Sequence, residues 1–198
     1  MAVDTYDSGS GNWNSGVFAG DALFESWGAG AGGGAGVSDK NAAPGGGGGA
    51  YSDEVRTVTA STDYAYSVGA GGASSVDGGD SYWISATDIM AKGGGAGSTL
   101  PTNTGGVGGA AASGFGTTKF SGGNGGTGYP GGKSASGGGG GSSASGAGAG
   151  TNGANGLDTG LASSGGSSNR FLAPPANFSR LRYDISRSEG SFHPLLLT

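Results

Sequence analysis

Glycine tracts are the feature that most limits how this chain can fold. All but five of its 51 glycines lie between Gly28 and Gly166, and five are consecutive, from Gly45 to Gly49. Glycine offers no side chain to a hydrophobic core, and it loses more backbone freedom on folding than any other residue. Such a region has two options: it stays disordered, or its backbone amides are satisfied against one another at close range.

Strand-like stretches separate the glycine tracts. Apolar and polar residues alternate over residues 22–27, 50–58 and 64–68, a pattern typical of β-strands. Strand, tract and strand follow one another along the chain, which predicts a β framework with glycine segments inserted into it. We therefore predict a mainly β fold with irregular glycine-rich segments and no significant helix.

Individual strands can be placed from the same pattern. The first is expected to start at Val17 and Phe18 and to end at Trp27. Within it, one face should carry Leu23, Glu25 and Trp27, and the other Phe24 and Ser26. Short strands are expected at residues 81–84 and 89–92, and a turn at residues 77–80. The rings of residues 64 and 66 should stack across strands.

Collagen and disorder are the alternatives for a chain so rich in glycine. The strict Gly-X-Y period of collagen fails within residues 28–34. Disorder fits the Gly/Ser tract at residues 137–150. However, only 12% of residues are charged, and 17 are aromatic, whereas disordered chains usually carry more charge and fewer rings. The composition favours order in an assembled state.

The chain divides into three predicted parts. Residues 1–16 form a polar N-terminal arm, residues 17–168 the glycine-rich domain, and residues 169–198 a C-terminal arm with one strand near residues 179–187. Leucine and other apolar side chains in the C-terminal arm have few local partners, and such patches usually mark contact surfaces. The predicted assembly contacts are Leu181, Tyr183, Ile185, Leu195, Leu196 and Leu197. The alternative is a C-terminal strand that folds back on its own domain.

No catalytic, cofactor-binding or metal site is predicted. Residues 28–33 match G-x-G-x-x-G, but no helical pattern follows to bind a pyrophosphate. Residues 131–134 resemble the end of a phosphate-binding loop, but Thr127 stands where its first glycine belongs. His193 is the only histidine, so a Ser-His-Asp relay would depend on the C-terminal arm. We therefore expect a protein that is not an enzyme.

Metal and disulfide chemistry have little basis in the sequence. Cysteine is absent, which excludes disulfides and thiolate metal sites. Asp77 and Asp80 could hold Ca²⁺, but calcium takes six to eight oxygen ligands. An Asp-Gly turn is the simpler interpretation, and whether calcium binds is left open.

Charge and hydropathy exclude two classes of partner. The formal net charge is −5, whereas binding of nucleic acid needs a basic face. No apolar run reaches 18 residues, so no membrane span is expected. The first residues have neither a basic region nor an apolar core typical of a signal peptide, so synthesis in a cytoplasm is expected.

Residues 17 to about 155 resemble the glycine-rich virion proteins of tailed bacteriophages, of the tail-fibre and adhesin type. Four pieces carry the resemblance: Trp-Gly-Ala-Gly at residues 27–30, Gly-Gly-Gly-Ala-Tyr at 47–51, the stretch 64–72, and Gly-Gly-Asp-Ser at 78–81. Long glycine tracts follow these pieces.

The resemblance implies that the glycine tracts fold as packed polyglycine-II helices. These are left-handed helices of the polyproline type, with three residues per turn, whose N–H and Cα–H groups meet carbonyls of neighbouring helices. Polar loops at residues 103–106 and 124–131 would then contact a host receptor. The candidate contact residues are Asn103, Thr104, Asn124 and Tyr129. A host surface glycan or outer-membrane protein is the implied receptor.

The expected function is that of a non-enzymatic structural protein on the virion surface, as a fibre, tip or decoration that contributes to host attachment. Its partners would be other virion proteins and copies of itself, with a trimer favoured because thin glycine bodies gain by sharing edges. One alternative is a purely architectural subunit of the capsid or tail that binds only neighbouring virion proteins. Another is a silk-like extracellular matrix protein, against which the missing signal peptide counts.

Overall fold

The protein is mainly β, with nine strands in the part that the structure describes. This computed structural model describes residues 3–35, 42–98, 102–129 and 138–157, and the backbone of residues 180–185. Helix is limited there to one 3₁₀ turn, Ala111–Ser113. The strands are β1 (Val3–Tyr6), β2 (Ser10–Asn14), β3 (Gly20–Trp27), β4 (Tyr51–Val58), β5 (Asp63–Ser67), β6 (Ser81–Trp83), β7 (Ile89–Ala91), β8 (Thr118–Phe120) and β9 (Arg180–Ile185).

Two antiparallel sheets organise these strands. One has the order β1-β9-β3-β4-β8 and the other the order β2-β5-β6-β7. The longest pairing joins β3 to β4, where Leu23 faces Val55 and Trp27 faces Tyr51. The predicted fold class is confirmed, including the near absence of helix.

An aromatic cluster fills the space between the two sheets. Phe24 of β3 and Trp83 of β6 are fully buried, and their ring centroids lie 5.1 Å apart in an edge-on arrangement. Trp13 of β2 packs edge-on against Phe24 at 5.8 Å. The Trp83 indole Nε1 also donates to the backbone carbonyl of Glu25 at 3.1 Å. Such pairs contribute about 0.5–1.5 kcal/mol each beyond the area that they bury, so this cluster fastens one sheet to the other.

The faces of β3 agree with the alternation in its sequence. Phe24 packs in the core between the sheets, and the Ser26 hydroxyl donates to the Ser81 carbonyl of the other sheet at 2.8 Å. On the opposite face, Trp27 packs edge-on against Tyr51, with ring centroids 5.1 Å apart. The predicted contacts of rings 64 and 66 across paired strands are also found, since the ring centroid of Tyr64 lies 5.6 Å from that of Trp13 and the centroid of Tyr66 lies 5.7 Å from that of Trp83.

Several local predictions were wrong. Val17 and Phe18 do not begin a strand; they lie in a turn between β2 and β3, and Val17 is fully exposed. The turn expected at residues 77–80 is extended backbone, and the chain reverses instead at Ser74 and Ser75, where Ser75 has φ 60°. In both places neighbouring backbone, which no local pattern reveals, decides the conformation.

The N-terminal residues also contribute more than a polar sequence suggests. Strands β1 and β2 lie within residues 1–16, and Trp13 is only 4% exposed. β2 pairs along its whole length with β5, because strand pairing needs backbone groups rather than apolar side chains. The predicted strand of the C-terminal arm is found as β9. The exact limits of arms and domain remain a prediction.

The glycine tracts form a bundle of extended segments that bond to one another every third residue. Gly28, Ala31 and Gly34 donate in turn to Ala50, Gly47 and Pro44. The same step of three joins the other neighbouring pairs, for example Gly122 and Gly125 with Gly109 and Gly106. The segments span residues 28–35, 42–50, 69–73, 76–80, 92–98, 104–110, 121–129, 138–145 and 150–157.

This geometry is that of polyglycine II. A repeat of three residues per turn is the period of the polyproline-type helix. Among the described glycines, a positive φ is confined to Gly9, Gly16, Gly20, Gly116 and Gly148, all of which lie outside these segments, so the helices are left-handed. The predicted polyglycine-II-like segments are therefore present.

The segment at residues 42–50 is the centre of the bundle. Five other segments hydrogen-bond to it, and every residue from Pro44 to Ala50 is buried. Carbonyls from Ala43 to Ala50 all accept backbone hydrogen bonds. This core contains almost no side chains, and its packing consists of main chain against main chain.

A Cβ atom has no room at most of the central glycines. At Gly48 it would lie 2.0 Å from the carbonyl oxygen of Ser142, and at Gly45 it would lie 2.0 Å from that of Gly139. The Cα–H groups thus point at neighbouring carbonyls at the distance of weak hydrogen bonds. Close approach, rather than backbone freedom, explains why glycine is required here.

Two alanine substitutions distinguish the effect of close backbone packing from the effect of glycine's backbone freedom. Gly48→Ala places a methyl group against the Ser142 carbonyl and should lower the free energy of unfolding by about 3 kcal/mol. Gly140→Ala is the matched control, because the nearest atom to its Cβ is 3.8 Å away. It should leave stability within about 0.5 kcal/mol, or raise it by up to about 1 kcal/mol. Urea unfolding of both variants gives the comparison, and equal stability of the two would contradict the packing described here.

Candidate contact surface

The glycine bundle has two different ends. At the sheet end, β3 runs directly into residues 28–35, and residues 42–50 run directly into β4. At the other end, called the distal end below, lie residues 35, 42, 98, 102, 129 and 138, together with the turn at Ser74 and Ser75. The turn at residues 74–75 and these segment ends therefore lie at one end, away from the sheets, whereas the turn at residues 145–148 lies at the sheet end.

Thr104 lies at the distal end in a small network of hydroxyl groups. Its N–H donates to the Ser98 hydroxyl at 2.9 Å, and its carbonyl accepts from the Ser98 N–H at 3.0 Å. The Thr102 hydroxyl donates to the same Ser98 oxygen at 2.9 Å. Thr104 itself remains exposed. Local hydroxyl bonding therefore holds this turn in one shape while it faces solvent.

Asn103 and Tyr129 are also at the distal end, but they differ in access. Asn103 is only 5% exposed, has φ 49°, and its carbonyl accepts from the N–H of Gly128 at 3.2 Å. Asparagine tolerates this left-handed conformation better than most residues. Tyr129 is half-buried, and its carbonyl accepts from the N–H of Ala42. Asn103 thus shapes the turn, whereas Tyr129 keeps part of its surface in solvent.

Asn124 lies on the side of the bundle rather than at its distal end. Its Oδ1 accepts from the N–H of Gly108 at 2.8 Å, and its own N–H donates to Oδ1 of Asn152 at 2.8 Å. Asn155 Oδ1 accepts in the same way from the N–H of Thr127 at 3.0 Å. These carboxamides take the place of a missing neighbouring peptide at the edge of the bundle. This row could not be predicted from the sequence, because equivalent asparagines are recognisable only once the segments are aligned.

Three of the four predicted receptor-contact residues are therefore brought together at one end, and Asn124 is not. Residues 124–128 belong to a glycine segment instead of a loop. Receptor contact by any of the four stays a prediction.

Asp77 and Asp80 bond to the neighbouring glycine segment. Asp77 Oδ1 accepts from the N–H of Ala96 at 2.7 Å, and Asp80 Oδ1 accepts from the N–H of Gly93 at 2.8 Å. The other oxygen of Asp80 forms an ion pair with Lys92 at 2.9 Å. Within the described part of the chain, no group of three or more His, Cys, Asp or Glu residues is placed to hold a metal ion.

The G-x-G-x-x-G match lies in the segment that follows β3. Its N–H groups at residues 28, 29, 31 and 32 donate to carbonyls of neighbouring segments, so they do not face a phosphate. No helix follows. Residues 131–134 and His193 lie outside the described residues.

An acidic pair with a shared tyrosine marks the junction of sheet and bundle. Glu25 and Asp53 face each other across β3 and β4. The Tyr51 hydroxyl lies 2.7 Å from Oε1 of Glu25 and 2.9 Å from Oδ2 of Asp53. Burial, followed by the hydrogen bond to Glu25, raises the pKa of the Tyr51 hydroxyl well above its ordinary value of 10.0. The strand register was needed to find this cluster, although residues 51 and 53 share a face by alternation alone.

Three of the six predicted assembly residues lie in the part of the chain that the structure describes. Leu181, Tyr183 and Ile185 belong to β9, whose backbone pairs with β1 on one side and β3 on the other. The backbone of this strand therefore pairs within its own chain, and assembly contact by its side chains stays a prediction. Leu195, Leu196 and Leu197 lie outside the described residues, and their role in assembly stays a prediction.

A search for membrane-spanning helices among the described residues found none of sufficient length and apolar character.

Comparison with known proteins adds one finding. A family model described as a glycine-rich domain matches residues 5–178, which include most of the chain, the bundle and every described strand except β9 and the start of β1. No curated protein is similar enough to count as a match.

The Tyr51 cluster should make stability depend on pH in the alkaline range. Above the unfolded tyrosine pKa of about 10, the unfolded chain loses a proton that folded Tyr51 retains. Stability should therefore fall as pH rises, by about 1.4 kcal/mol per pH unit from this group. Tyr51→Phe removes that component, whereas Tyr82→Phe, a control at a half-buried position of β6, should keep it. Unfolding curves between pH 9 and pH 11 measure the slopes, and equal slopes in both variants would rule out the assignment.

Proposed function

The chain belongs to the glycine-rich domain family, and from this premise we propose that it is a non-enzymatic structural component of a tailed-bacteriophage virion. It is displayed at the particle surface as a fibre, tip or decoration and contributes to host attachment. The observation that carries the proposal is the glycine bundle, which places the turn at Ser74 and Ser75 and residues 102–104 and 129 at its distal end, away from the sheets. The assignment to a virion rests on the resemblance of residues 17–155 to phage tail-fibre and adhesin proteins.

The construction of the bundle suits the presentation of variable turns. Its core depends on main-chain contacts along residues 42–50 and their neighbours. A turn at the distal end can therefore change in length or sequence without loss of core side chains. Binding residues are commonly carried on loops that a rigid scaffold positions, and a preorganised surface loses less entropy when it binds.

The exposed groups at the distal end favour a polar receptor. Thr104 offers a hydroxyl group, and Tyr129 offers part of an aromatic ring with a hydroxyl at its tip. Amphipathic rings and hydroxyls of this kind suit ligands that present both polar and apolar edges. A host surface glycan fits these groups, and a polar face of an outer-membrane protein is the second receptor class.

Assembly is proposed at the sheet end. β1 and β8 form the two edges of the larger sheet, and exposed edges are ready templates for pairing with another chain. A homo-oligomer, with a trimer favoured, would cover such edges, and other virion proteins would bind the arms. This orientation leaves the distal end free.

One observation favours the purely architectural alternative. Asn103 is buried, and Ser98 and Thr104 already bond to each other, so part of the distal polar surface is used within the molecule. A subunit that binds only neighbouring virion proteins would need no more than this. The two functions differ in whether the distal end affects adsorption to cells.

Adsorption measurements decide between them. Phage carrying the double variant Thr104→Ala and Tyr129→Ala should adsorb at least about tenfold more slowly, since two contact groups of roughly 1 kcal/mol each are lost. Val17→Ser, a fully exposed position at the sheet end, is the control and should adsorb normally. Purified wild-type protein should also block adsorption.

Two results would count against the attachment role. Normal adsorption by the double variant, with no blocking by purified protein, would leave the architectural role. Absence of the polypeptide from purified virions by mass spectrometry would exclude both.

A further inference from the structure

Three asparagines in the glycine bundle are each followed directly by glycine. The pairs are Asn124-Gly125, Asn152-Gly153 and Asn155-Gly156, and no other asparagine of the chain precedes a glycine. Asparagine is a thermolabile residue. The glycine that follows it adds to this lability, because glycine has no Cβ and gives the backbone the freedom that ring closure requires. Whether the pairs react therefore depends on how the fold holds their atoms.

Deamidation of such a pair consumes one water molecule and needs no other reactant. The glycine nitrogen forms a bond to Cγ of the asparagine, its proton passes to the departing Nδ2, and ammonia leaves as a succinimide ring closes. Water then opens the ring at either carbonyl. One product is aspartate, and the other is isoaspartate, in which the main chain runs through Cβ and Cγ and is longer by one carbon atom.

Asn152 and Gly153 hold one residue of the neighbouring segment between them. Oδ1 of Asn152 accepts from the N–H of Asn124 at 2.8 Å. The N–H of Gly153 donates to the carbonyl of the same Asn124, also at 2.8 Å. The carboxamide and the nitrogen that would attack it are therefore both engaged on residues 121–129, and the pair cannot react until these bonds open.

Asn155 and Gly156 repeat this arrangement three residues further along the chain. Oδ1 of Asn155 accepts from the N–H of Thr127 at 3.0 Å, and the N–H of Gly156 donates to the Thr127 carbonyl at 2.8 Å. The repeat follows from the three-residue turn, which returns each side chain to the same face of the segment. The two pairs therefore open together when residues 150–157 separate from the bundle.

Asn124 and Gly125 are engaged by a different segment, residues 104–110. Oδ1 of Asn124 accepts from the N–H of Gly108 at 2.8 Å, and the N–H of Gly125 donates to the carbonyl of Gly106 at 2.8 Å. Neither bond involves residues 150–157. Separation of that outer segment thus leaves this third pair held.

The segments that carry the pairs differ in how they are held. Backbone hydrogen bonds join residues 150–157 to two other described segments, 121–129 and 138–145. Residues 121–129 are joined to these same outer neighbours and also to residues 42–50 and 104–110. The free energy of local opening rises from near zero at loosely held elements toward the global value in the core. Residues 150–157 should therefore open far more often than residues 121–129.

We propose that Asn152 and Asn155 are deamidation sites of the folded protein, and that isoaspartate formed there detaches the residues that follow it from the bundle. Both side chains are exposed, so water reaches them. The added carbon moves every later N–H of the segment out of the three-residue step, whereas aspartate keeps an Oδ1 acceptor in an unchanged main chain. This modification is spontaneous and does not depend on the function proposed above.

Parallel ageing of folded and unfolded protein tests the sites. The full chain is incubated at mildly alkaline pH with and without urea and is then digested, and its aspartate and isoaspartate peptides are quantified by chromatography and mass spectrometry. In urea the three asparagines should react at similar rates, because each precedes glycine. In the folded protein Asn124 should react at least about tenfold more slowly than Asn152 or Asn155.

Hydrogen exchange tests the detachment. In protein aged until isoaspartate has formed at residue 152, the N–H groups of Asn124 and Thr127 should exchange at least about tenfold faster. The N–H of Gly125 bonds to residues 104–110 and should keep its protection, which makes it the internal control. The double variant Asn152→Asp and Asn155→Asp carries the other product in a main chain of normal length, and it should keep the protection of all three amides.

Four results would overturn the proposal. Equal rates for the three asparagines in the folded protein would show that the bundle does not distinguish the pairs. No reaction at Asn152 and Asn155 while the urea sample reacts would show that the outer segment stays closed. Isoaspartate at residue 152 without faster exchange at Thr127 would exclude detachment. An equal loss of protection in the aspartate variant would show that charge, rather than the longer main chain, separates the segment.

Discussion

The structure depends on hydrogen bonds between backbones that approach closely because no side chains separate them. Residues 42–50 show this constraint most clearly: the segment is buried like a core strand, yet five of its residues are consecutive glycines. In an ordinary domain, apolar side chains offset the entropy of ordering the chain. Here the contribution comes from paired amides and carbonyls and from Cα–H contacts, repeated along many short segments.

That constraint explains why the bundle is attached to a conventional pair of sheets. Polyglycine helices have little in their own surfaces to determine which segment neighbours which, or in what register. The aromatic cluster around Phe24 and Trp83 joins the two sheets, and the pairing of β3 with β4 aligns residues 28–35 with residues 42–50. The sheets therefore specify the arrangement, and the bundle extends it away from them.

The same division gives the two ends of the molecule different properties. The sheet end holds the aromatic core and the acidic junction of Glu25, Tyr51 and Asp53. The distal end holds the turn at Ser74 and Ser75 and the hydroxyl network of Ser98, Thr102 and Thr104. Membership of the glycine-rich domain family agrees with this architecture, and attachment of a virion to its host is the proposed use of it.

The amino-acid sequence alone determined the class of fold. Alternation predicted β3 and β4 and the two faces of residues 23–27, and the glycine tracts predicted extended segments without helix. It also excluded disulfide and thiolate chemistry through the absence of cysteine. These properties are local, because each depends on side-chain spacing or on residue type.

Tertiary structure alone decided which groups meet. A turn was predicted at residues 77–80, but the turn lies at Ser74 and Ser75. Asp77 and Asp80 accept hydrogen bonds from a neighbouring segment instead. Asn103 is buried, and Asn124 belongs to a row of asparagine carboxamides along the bundle. One polyglycine helix looks like another in sequence, so the neighbours of each segment follow only from the sheets that align them. Backbone hydrogen bonds do not depend on the identity of the side chain, so only the three-dimensional arrangement shows where they form.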